Sequence, residues 1–221
     1  MHLVIINGSP RTKSKSNTTK IITSFQKGFE ESGNTFEVWY LSDRKQWESA
    51  AEAFEKNDHI LFALPLFVEN ISGTMLEFLE ALPPKKLPGT SIAFVLQGGF
   101  PERSQLRCGE RFLEMLPAQL GCEYAGTLIK GDMFGAGLMG EKLGAQLVAP
   151  FEDAGRRFAV NGVFEKQKVN TFAGPEYMPE KEVRKFNRFG CHMQKFFMGR
   201  IAKKLGCKDK LDAQPYGELV K

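Results

Sequence analysis

The first twenty residues contain the feature that most limits what this chain can fold into. Residues 2–6 form an almost unbroken apolar run, which predicts a buried β-strand. The run gives way to residues 7–17, a loop rich in hydroxyl and basic side chains, and Ser16 or Asn17 is placed to cap a helix that begins near Thr18. Because the free N–H groups and the dipole of a helix N-terminus attract anions, this strand–loop–helix unit predicts a phosphate site.

The loop supplies both donors and positive charge for a phosphate. The candidate ligands are hydroxyl, amide and guanidinium side chains, namely Ser9, Arg11, Ser16, Asn17 and Thr18. An alternative interpretation is an ordinary strand-to-helix turn in which the Ser and Asn residues act only as caps.

The absence of certain motifs limits which phosphate-containing ligands the loop could bind. No G-x-x-x-x-G-K-[ST] or G-x-G-x-x-G motif follows the first strand, so neither a nucleoside triphosphate nor a Rossmann-type dinucleotide is indicated there. The first cysteine is Cys108, which excludes a cysteine-based phosphatase at this loop. A terminal phosphate monoester that is bound without being cleaved remains, and FMN carries such a group.

Composition predicts one globular domain with an extension. The chain has 221 residues, of which 42% are hydrophobic, enough for one substantial core. No apolar run approaches the roughly 18 residues that cross a bilayer, and the chain enters a strand without a signal-like segment, so we expect a cytoplasmic protein. The four cysteines form no C-x-x-C pair, so we expect no metal site and no disulfide framework.

The pattern of apolar segments predicts a doubly wound α/β sheet. After the first strand, the strand candidates are residues 35–41, 60–66, 92–96 and 124–129. They alternate with helix-like stretches at residues 18–31, 46–55, 73–82, 102–120 and 138–158, while residues 161–179 read as a connecting loop. In such a sheet, ligands collect at the carboxyl ends of the strands beside the point where the strand order reverses.

Two further loops are expected at that edge. The loop after the third strand contains Pro65, which should end the strand, and Phe67 and Val68, which supply flat apolar surface. The loop after the fourth strand contains Gly98 and Gly99, where the backbone can approach a planar polar ring closely.

Three groups of residues together resemble the flavodoxin-like NAD(P)H-dependent FMN reductases and oxidoreductases. They are Gly8-Ser9-Pro10-Arg11 with Ser16-Asn17-Thr18, Pro65-Leu66-Phe67 with Ser72-Gly73, and Gln97-Gly98-Gly99-Phe100, within about residues 1–130. The resemblance implies a flavodoxin-like, doubly wound, parallel five-stranded sheet in the order 2-1-3-4-5. It also implies that FMN is bound non-covalently and that electrons pass from NADPH or NADH to an acceptor.

The resemblance also implies the site residues. Ser9, Arg11, Ser16, Asn17 and Thr18 would be the phosphate ligands. The isoalloxazine walls would be residues 65–70 and 97–100, that is Pro65, Leu66, Phe67, Val68, Glu69, Asn70, Gln97, Gly98, Gly99 and Phe100. The N–H groups near Gly98 and Gly99 would stabilise charge on the reduced ring, and no side chain need act as an acid or base. The chain departs from many relatives, which have Tyr or Trp in the loop after the third strand.

The sequence leaves three functional hypotheses. The leading one is an FMN-dependent oxidoreductase that passes electrons from NAD(P)H to a quinone, a free flavin or another small molecule. A second is a flavodoxin-type electron carrier without its own NAD(P)H site, although the pI of about 8.8 contrasts with the strongly acidic character of such carriers. A third is an FMN-binding protein whose tail binds a membrane, a nucleic acid or another partner.

The tail accounts for the basic character of the chain. We divide the chain into residues 1–160, the FMN-binding domain, and residues 161–221, a loop followed by a basic, Phe-rich helical extension. Residues 181–221 contain eleven Lys or Arg and four Asp or Glu, a local charge of +7 against +4 for the whole chain. Apolar residues of this segment lie near one helical face: Val183, Phe186, Phe189, Met193, Phe196, Phe197 and Ile201. We expect this face to pack in a homodimer, without a nucleic-acid or membrane partner.

Overall fold

The computed structural model describes residues 1–67, 70–86, 88–204, 206–208 and 213. The chain divides into two compact units, Met1–Tyr177 and Met178–Lys221. The predicted boundary, between residues 160 and 161, lies before the observed one, because residues 161–177 belong to the first unit. A helix in this segment packs on the last strand of the sheet.

The first unit is built on a parallel sheet. Its strands are β1 (His2–Asn7), β2 (Thr35–Tyr40), β3 (His59–Phe67), β5 (Ser91–Gln97) and β6 (Glu123–Lys130), in the order β2-β1-β3-β5-β6. A two-residue strand, β4 (Asn70–Ile71), pairs antiparallel with the end of β3. Leaving out β4, this is the predicted flavodoxin-like order 2-1-3-4-5, and the fold class is confirmed.

Strands β1, β3 and β5 are apolar on both faces because helices cover both sides of the sheet. Residues 3–6, 60–64 and 92–96 are all buried, and the rings of Phe62 and Phe94 stack across neighbouring strands with centroids 5.9 Å apart. This is the pattern of a parallel sheet buried on both faces. The edge strand β2 is only partly buried.

Helices cover the two faces as right-handed crossovers require. Helices α1 (Asn17–Glu30), α5 (Gly140–Val148) and α6 (Pro150–Asn161) contact one another on one face. Helices α2 (Trp47–Lys56), α3 (Gly73–Ala81) and α4 (Arg107–Gln119) cover the other, where Trp47 and Phe78 join α2 to α3 edge to face. The single predicted helix at residues 138–158 is two helices, because Pro150 lacks an N–H and starts a new helix at its first position.

The predicted connecting loop at residues 161–179 contains a helix, α7 (Lys166–Ala173), which packs on β6. Val169 and Ala173 lie one helical turn apart and are both buried. Between α6 and α7 the N–H of Phe164 donates to the carbonyl of Ala125, 2.8 Å away, on the outer edge of β6. This segment therefore covers an edge strand that would otherwise expose unpaired backbone groups.

The second unit is helical, as predicted for residues 179–205. It consists of α8 (Glu180–Lys185), a π-helical turn (Phe186–Gly190) and α9 (Cys191–Lys204). Four large apolar residues are exposed among its described side chains: Val183, Phe186, Phe196 and Met198. The side chains of Phe189, Met193 and Phe197, which belong to the predicted face, lie outside the described ones. Among the described residues, none of the helices combines the length and the apolar character needed to cross a bilayer.

Candidate functional site

Four loops meet at the carboxyl edge of the sheet. The parallel register sets the last residues of neighbouring strands side by side, with Asn7 beside Ala63 and Gln97 beside both Pro65 and Lys130. The loops that leave β1, β3, β5 and β6 therefore start next to one another. This is the position where open α/β sheets bind ligands.

The loop after β1 is fixed by its own side chains. The Oδ1 of Asn7 accepts a hydrogen bond from the N–H of Ser9 at 3.0 Å, and the Oγ of Ser9 accepts from the N–H of Arg11 at 3.3 Å. The Oγ of Ser16 accepts from the N–H of Thr19 at 3.3 Å and caps α1, as the sequence predicts. Ser9 and Ser16 are buried, and each hydroxyl keeps its own O–H to donate.

This geometry fits a phosphate group. At the start of α1 the N–H groups of Asn17 and Thr18 have no carbonyl one helical turn earlier to bond, so they can meet an anion at the positive end of the helix dipole. The side chains of Arg11, Lys13 and Lys15 are exposed, and within the described part of the chain none of them pairs with a carboxylate. A phosphate at this loop would meet positive charge without having to displace an acidic side chain.

The side chain of Asn17, a predicted phosphate ligand, also connects two segments of the site. Its Nδ2 donates to the main-chain carbonyl of Met133 at 2.8 Å, and its buried Oδ1 has no hydrogen-bond partner. The amide therefore joins the start of α1 to the loop after β6, and one of the two Nδ2 N–H donors of Asn17 is used there. The Nζ of Lys20 makes a parallel connection to the carbonyl of Ala136 at 2.8 Å.

The loop after β6 is the part of this site that the sequence analysis missed. Residues 135–140 read G-x-G-x-x-G, a spacing that could have drawn attention to the segment. Its first two glycines serve packing, whereas Gly140 has a positive φ of 81° and open space around it. A Cβ on Gly137 would lie 2.6 Å from Oδ1 of Asn17, and one on Gly135 would lie 2.7 Å from Sδ of Met139. The absent side chains let this loop lie against the start of α1.

In the loop after β3, the structure changes the predicted role of two residues. Pro65 does not end the strand: it pairs in register with Gln97, and β3 continues to Phe67. The Cδ1 of Leu66 lies 2.7 Å from the position of a Cβ on Gly109, so the Leu66 side chain packs against α4 rather than facing the loops.

The ring of Phe67, which is 43% exposed, remains available at this edge, and Asn70 is also exposed. Val68 and Glu69, predicted as ring walls, lie outside the described residues. Ser72 caps α3, and its Oγ donates to the carbonyl of Gly8 at 3.2 Å, which joins this segment to the loop after β1.

In the loop after β5, one of the two expected backbone donors is already bonded. The N–H of Gly98 donates to the carbonyl of Lys130 at 3.0 Å, so it cannot reach a bound ring. A Cβ on Gly98 would lie 2.7 Å from Cδ2 of Leu106, which is a packing reason for glycine there. The N–H of Gly99 donates no hydrogen bond within the described chain, and its role toward a bound ring stays a prediction.

The other two predicted residues of this loop occupy its two ends. Gln97 is buried, and its Nε2 lies 3.5 Å from Oγ1 of Thr18, at the limit of a hydrogen bond. Phe100 is 70% exposed. Gln97 therefore lies beneath the site, next to α1, whereas Phe100 lies at its rim.

Exposed apolar side chains surround the meeting point of the loops. Phe67, Phe100 and Phe134 follow three different strands and are 43%, 70% and 58% exposed, and Leu138 and Met139 continue this surface into the start of α5. We call these five residues the apolar rim. Exposed aromatic surface of this kind at one edge is typical of a binding site.

Lys130 and His59 lie at opposite ends of the sheet. Lys130 ends β6, its Nζ donates to the carbonyl of Phe172 at 2.9 Å, and burial lowers the pKa of its ammonium group. His59 lies at the opposite edge, where its Nδ1 is 3.2 Å from Oγ of Ser91. In the described residues no group of three or more His, Cys, Asp or Glu is arranged to hold a metal ion.

Two surface clefts lie away from this edge. One, of about 530 Å³, is lined by α4, β6 and α7, and another, of about 620 Å³, lies between α6 and α7. Apart from Arg103 in the first cleft, neither is lined by the loops after β1, β3 or β5. The four-loop edge is the better candidate site, because it combines helix N–H groups, unpaired cations and exposed aromatic rings.

Comparison with known structures shows the same fold. An FMN-dependent NADH-azoreductase from Bacillus anthracis in complex with FMN superposes with a TM-score of 0.54 and 14% identity, over 72% of this chain and 99% of that one. An NAD(P)H:quinone oxidoreductase from Methanothermobacter marburgensis gives 0.56 and 15%, over 72% and 96%. An NADPH-quinone reductase from P. pentosaceus gives 0.53 and 17%, over 73% and 99%. A search of curated proteins gave no match.

Family membership follows from the amino-terminal half of the chain. Residues 1–119 match the family model of the NADPH-dependent FMN reductases. This range contains β1 to β5 and the loops after β1, β3 and β5, and it covers more than half of the 221 residues. The chain belongs to the NADPH-dependent FMN reductase family and is an oxidoreductase that uses FMN with NAD(P)H as co-substrate.

Proposed function

We propose that this protein passes electrons from NAD(P)H through FMN to a planar, apolar small molecule of the quinone class. The observation that carries the proposal is the apolar rim, in which Phe67, Phe100 and Phe134 expose their rings at the carboxyl edge of the sheet. A flat apolar acceptor can stack on such rings, whereas a strongly hydrated acceptor gains little from them.

The proposed position of FMN follows from the polarity of the edge. Its phosphate would be held by the N–H groups of Asn17 and Thr18, the hydroxyls of Ser9 and Ser16, and the guanidinium of Arg11. Its ring would lie against the loops after β3, β5 and β6, with the N–H of Gly99 as a donor and Phe67 and Phe100 as apolar surface. When bound, FMN supplies the hydride chemistry, and the protein supplies position and control of solvent.

Two features support a quinone over the other acceptors that the sequence left open. Two of the structural relatives reported above are quinone reductases by name, and a third is an azoreductase. The cations at this edge, Arg11, Lys13 and Lys15, follow β1 and are assigned to the FMN phosphate, whereas Phe67, Phe100 and Phe134 offer apolar rings to an acceptor. A free flavin would bring a second phosphate to a loop whose N–H groups are already assigned to the first.

A spectroscopic experiment tests the proposal. The purified protein should carry the visible absorption of FMN, and anaerobic NADPH should bleach it; addition of a water-soluble benzoquinone should restore it within the mixing time. An azo dye and free FMN serve as competing acceptors, and we expect the quinone to give the highest kcat/KM. A protein that binds FMN but is not reduced by NADPH or NADH would instead be an electron carrier.

We also propose that the protein acts in the cytoplasm as a homodimer formed through the exposed apolar residues of the second unit. Val183, Phe186, Phe196 and Met198 expose more apolar surface than a solvated helix needs, and a two-fold partner is the commonest cover for such a surface. Light scattering on the intact chain and on a Phe186→Ser, Phe196→Ser double variant tests this. A monomeric intact chain would overturn it.

A further inference from the structure

Residues 175 and 176 lie against the start of the helical segment that follows β5. The N–H of Arg103 donates to the carbonyl of Pro175 and the N–H of Ser104 to the carbonyl of Glu176, both at 3.0 Å. These donors belong to the first turn of a 3-10 helix (Arg103–Leu106) that leads into α4. The N–H groups at the start of a helix have no partner within it, so residues 175 and 176 act as its cap.

The carboxylate of Glu176 strengthens this contact through two arginines. Arg107 binds it with both ends of its guanidinium, Nε to Oε1 at 2.9 Å and Nη2 to Oε2 at 2.6 Å. Arg103 adds its Nε to Oε2 at 2.8 Å and uses its Nη1 to reach Oδ1 of Asn170, also at 2.8 Å. Paired N–H donors on a carboxylate are the strong, geometrically specific form of this interaction.

The pKa of Glu176 agrees with the geometry of its contacts to the two arginines. The hydrogen bonds from Arg107 and then from Arg103 lower the pKa of Glu176 to about 2. Arg107 also contacts Glu110 on its own helix. The Arg103 side chain is only 15% exposed, so its contact with Glu176 is partly shielded from solvent.

The same loop is held at its other end by the segment after β6. Gly98 donates to Lys130 and accepts from the N–H of Met133 at 2.9 Å, and the carbonyl of Phe100 accepts from the N–H of Asp132 at 2.8 Å. Residues 98–104 are thus anchored on one side by residues 130–133 and on the other by residues 175 and 176. Gly99 and Phe100 lie in the part held by residues 130–133, and only residues 101 and 102 separate Phe100 from the part held by residues 175 and 176.

We infer that Glu176 is a positioning residue for the flavin site: it fixes the carboxyl-side end of the loop that carries Gly99 and Phe100. This inference rests on the proposed position of the ring. A loop that is already fixed loses no conformational entropy when the flavin ring binds. Without the Glu176 contact the loop would have to be ordered on binding, and this entropic cost would weaken the affinity for the ring. The sequence gives no sign of this role, because Glu176 is more than seventy residues from the loop.

A purely structural role for Glu176 would have a different signature. If Glu176 only stabilised the fold, its loss would accelerate exchange of backbone amides throughout the first unit. If it positions the loop, exchange should accelerate in residues 98–106 while β1 and α1 stay protected. In addition, FMN and riboflavin should lose affinity by the same factor, because they share the ring and differ at the phosphate.

The test uses Glu176→Gln, with Glu31→Gln as the matched control. Glu31 also binds both ends of an arginine, with Nε of Arg156 at 2.6 Å and Nη2 at 2.9 Å, but it follows the carboxyl end of α1, at the opposite edge of the sheet. Hydrogen exchange is measured on the full-length apoprotein, and dissociation constants are measured for FMN and for riboflavin. If Glu176→Gln does not fold, Arg103→Leu, which loses the side-chain contacts to Glu176 and Asn170, replaces it.

We expect Glu176→Gln to raise amide exchange in residues 98–106 and to raise both dissociation constants by about tenfold at an unchanged ratio, whereas Glu31→Gln changes neither. Unchanged exchange in this loop, or an equal rise across the whole unit, would overturn the inference. So would a loss of FMN affinity without a loss of riboflavin affinity. A wild-type protein that binds no flavin would overturn the proposed function instead, and the exchange data would still decide whether Glu176 fixes the loop.

Discussion

The Oδ1 atom of Asn17 lies 2.6 Å from the point where a Cβ on Gly137 would be, although the two residues are 120 positions apart in the chain. This contact brings the loop after β6 against the start of α1. It also explains why the Asn17 amide, with its Nδ2 on the carbonyl of Met133, is occupied before any ligand arrives.

The first prediction concerns this contact. Gly137→Ala should push the Asn17 amide away and break its hydrogen bond to Met133, a loss of about 0.5–1.5 kcal/mol in the free energy of unfolding. Urea denaturation measures the change. Gly199→Ala is the control, since a Cβ there meets nothing within 4 Å, and equal stability of the two variants would contradict the packing role of Gly137.

The second prediction separates the two residues that the sequence analysis treated alike. Arg11→Ala should weaken FMN binding by at least about tenfold and leave riboflavin binding unchanged, because a charge-assisted contact to the phosphate is worth about 1.5–3 kcal/mol. Asn17→Ala should lower stability as well, because the Met133 carbonyl loses its partner. Fluorescence titration with both flavins gives the affinities, and an equal loss for FMN and riboflavin in Arg11→Ala would refute the phosphate assignment.

The third prediction addresses the apolar rim. Phe100→Ser should change the free energy of unfolding by less than about 0.5 kcal/mol, because the ring is 70% exposed. It should reduce kcat/KM for a benzoquinone about threefold to tenfold, the value of one aromatic stacking contact. Val160→Ser, at an exposed apolar position of α6, is the control. Unchanged quinone kinetics in Phe100→Ser would place the acceptor elsewhere.

The fourth prediction concerns the close packing of α1 and α6. A Cβ on Gly155 would lie 2.0 Å from the carbonyl oxygen of Phe25, and one on Gly28 would lie 1.9 Å from that of Glu152. Gly155→Ala should therefore force the helices apart and lower the free energy of unfolding by about 1–3 kcal/mol, despite the better helix propensity of alanine. The urea midpoint shows this directly, and a stabilised Gly155→Ala would contradict the close crossing.

The sequence predicted those parts of the fold that depend on local signals. The apolar run of β1 and the cap at Ser16 lie within one segment, and both are present as expected. Pro65 could not be placed from sequence. The carbonyl of Ala63 faces β1 and accepts a hydrogen bond from the N–H of Gly8. Pro65 is two residues later, so its backbone faces the same side, but the pairing with β1 ends at Ala63. Its missing N–H therefore costs the sheet no hydrogen bond.

The parts of the site that were missed depend on contacts between distant segments. The side chain of Asn17 meets Met133, and Arg103 meets Glu176, and no local pattern indicates either pair. Helix α7 was not predicted for a related reason, because its polar composition resembles that of a loop. It is stabilised by the burial of Val169 and Ala173 against the rest of the unit, which is a tertiary contact. The sequence thus located the loops of the site and not the contacts that hold them.

The last prediction follows from the lowered pKa of Glu176. Hydrogen bonds from Arg107 and Arg103 hold this pKa at about 2, against an ordinary value of 4.5. A carboxyl group with a lowered pKa in the folded state adds stability above pH 4.5, and that contribution disappears as the pH falls from about 4.5 toward 2.

Glu176→Gln cannot titrate, so its Tm should lie below that of the wild type at pH 6, and the difference should shrink steadily as the pH falls through this range. Glu31 and Glu77, whose pKa values are also lowered by arginine partners, titrate in both proteins and cancel in the comparison. Thermal unfolding followed by circular dichroism from pH 6 to pH 2 measures the two Tm curves, and a difference that stays constant over this range would show that the Glu176 carboxylate contributes nothing to stability through its charge.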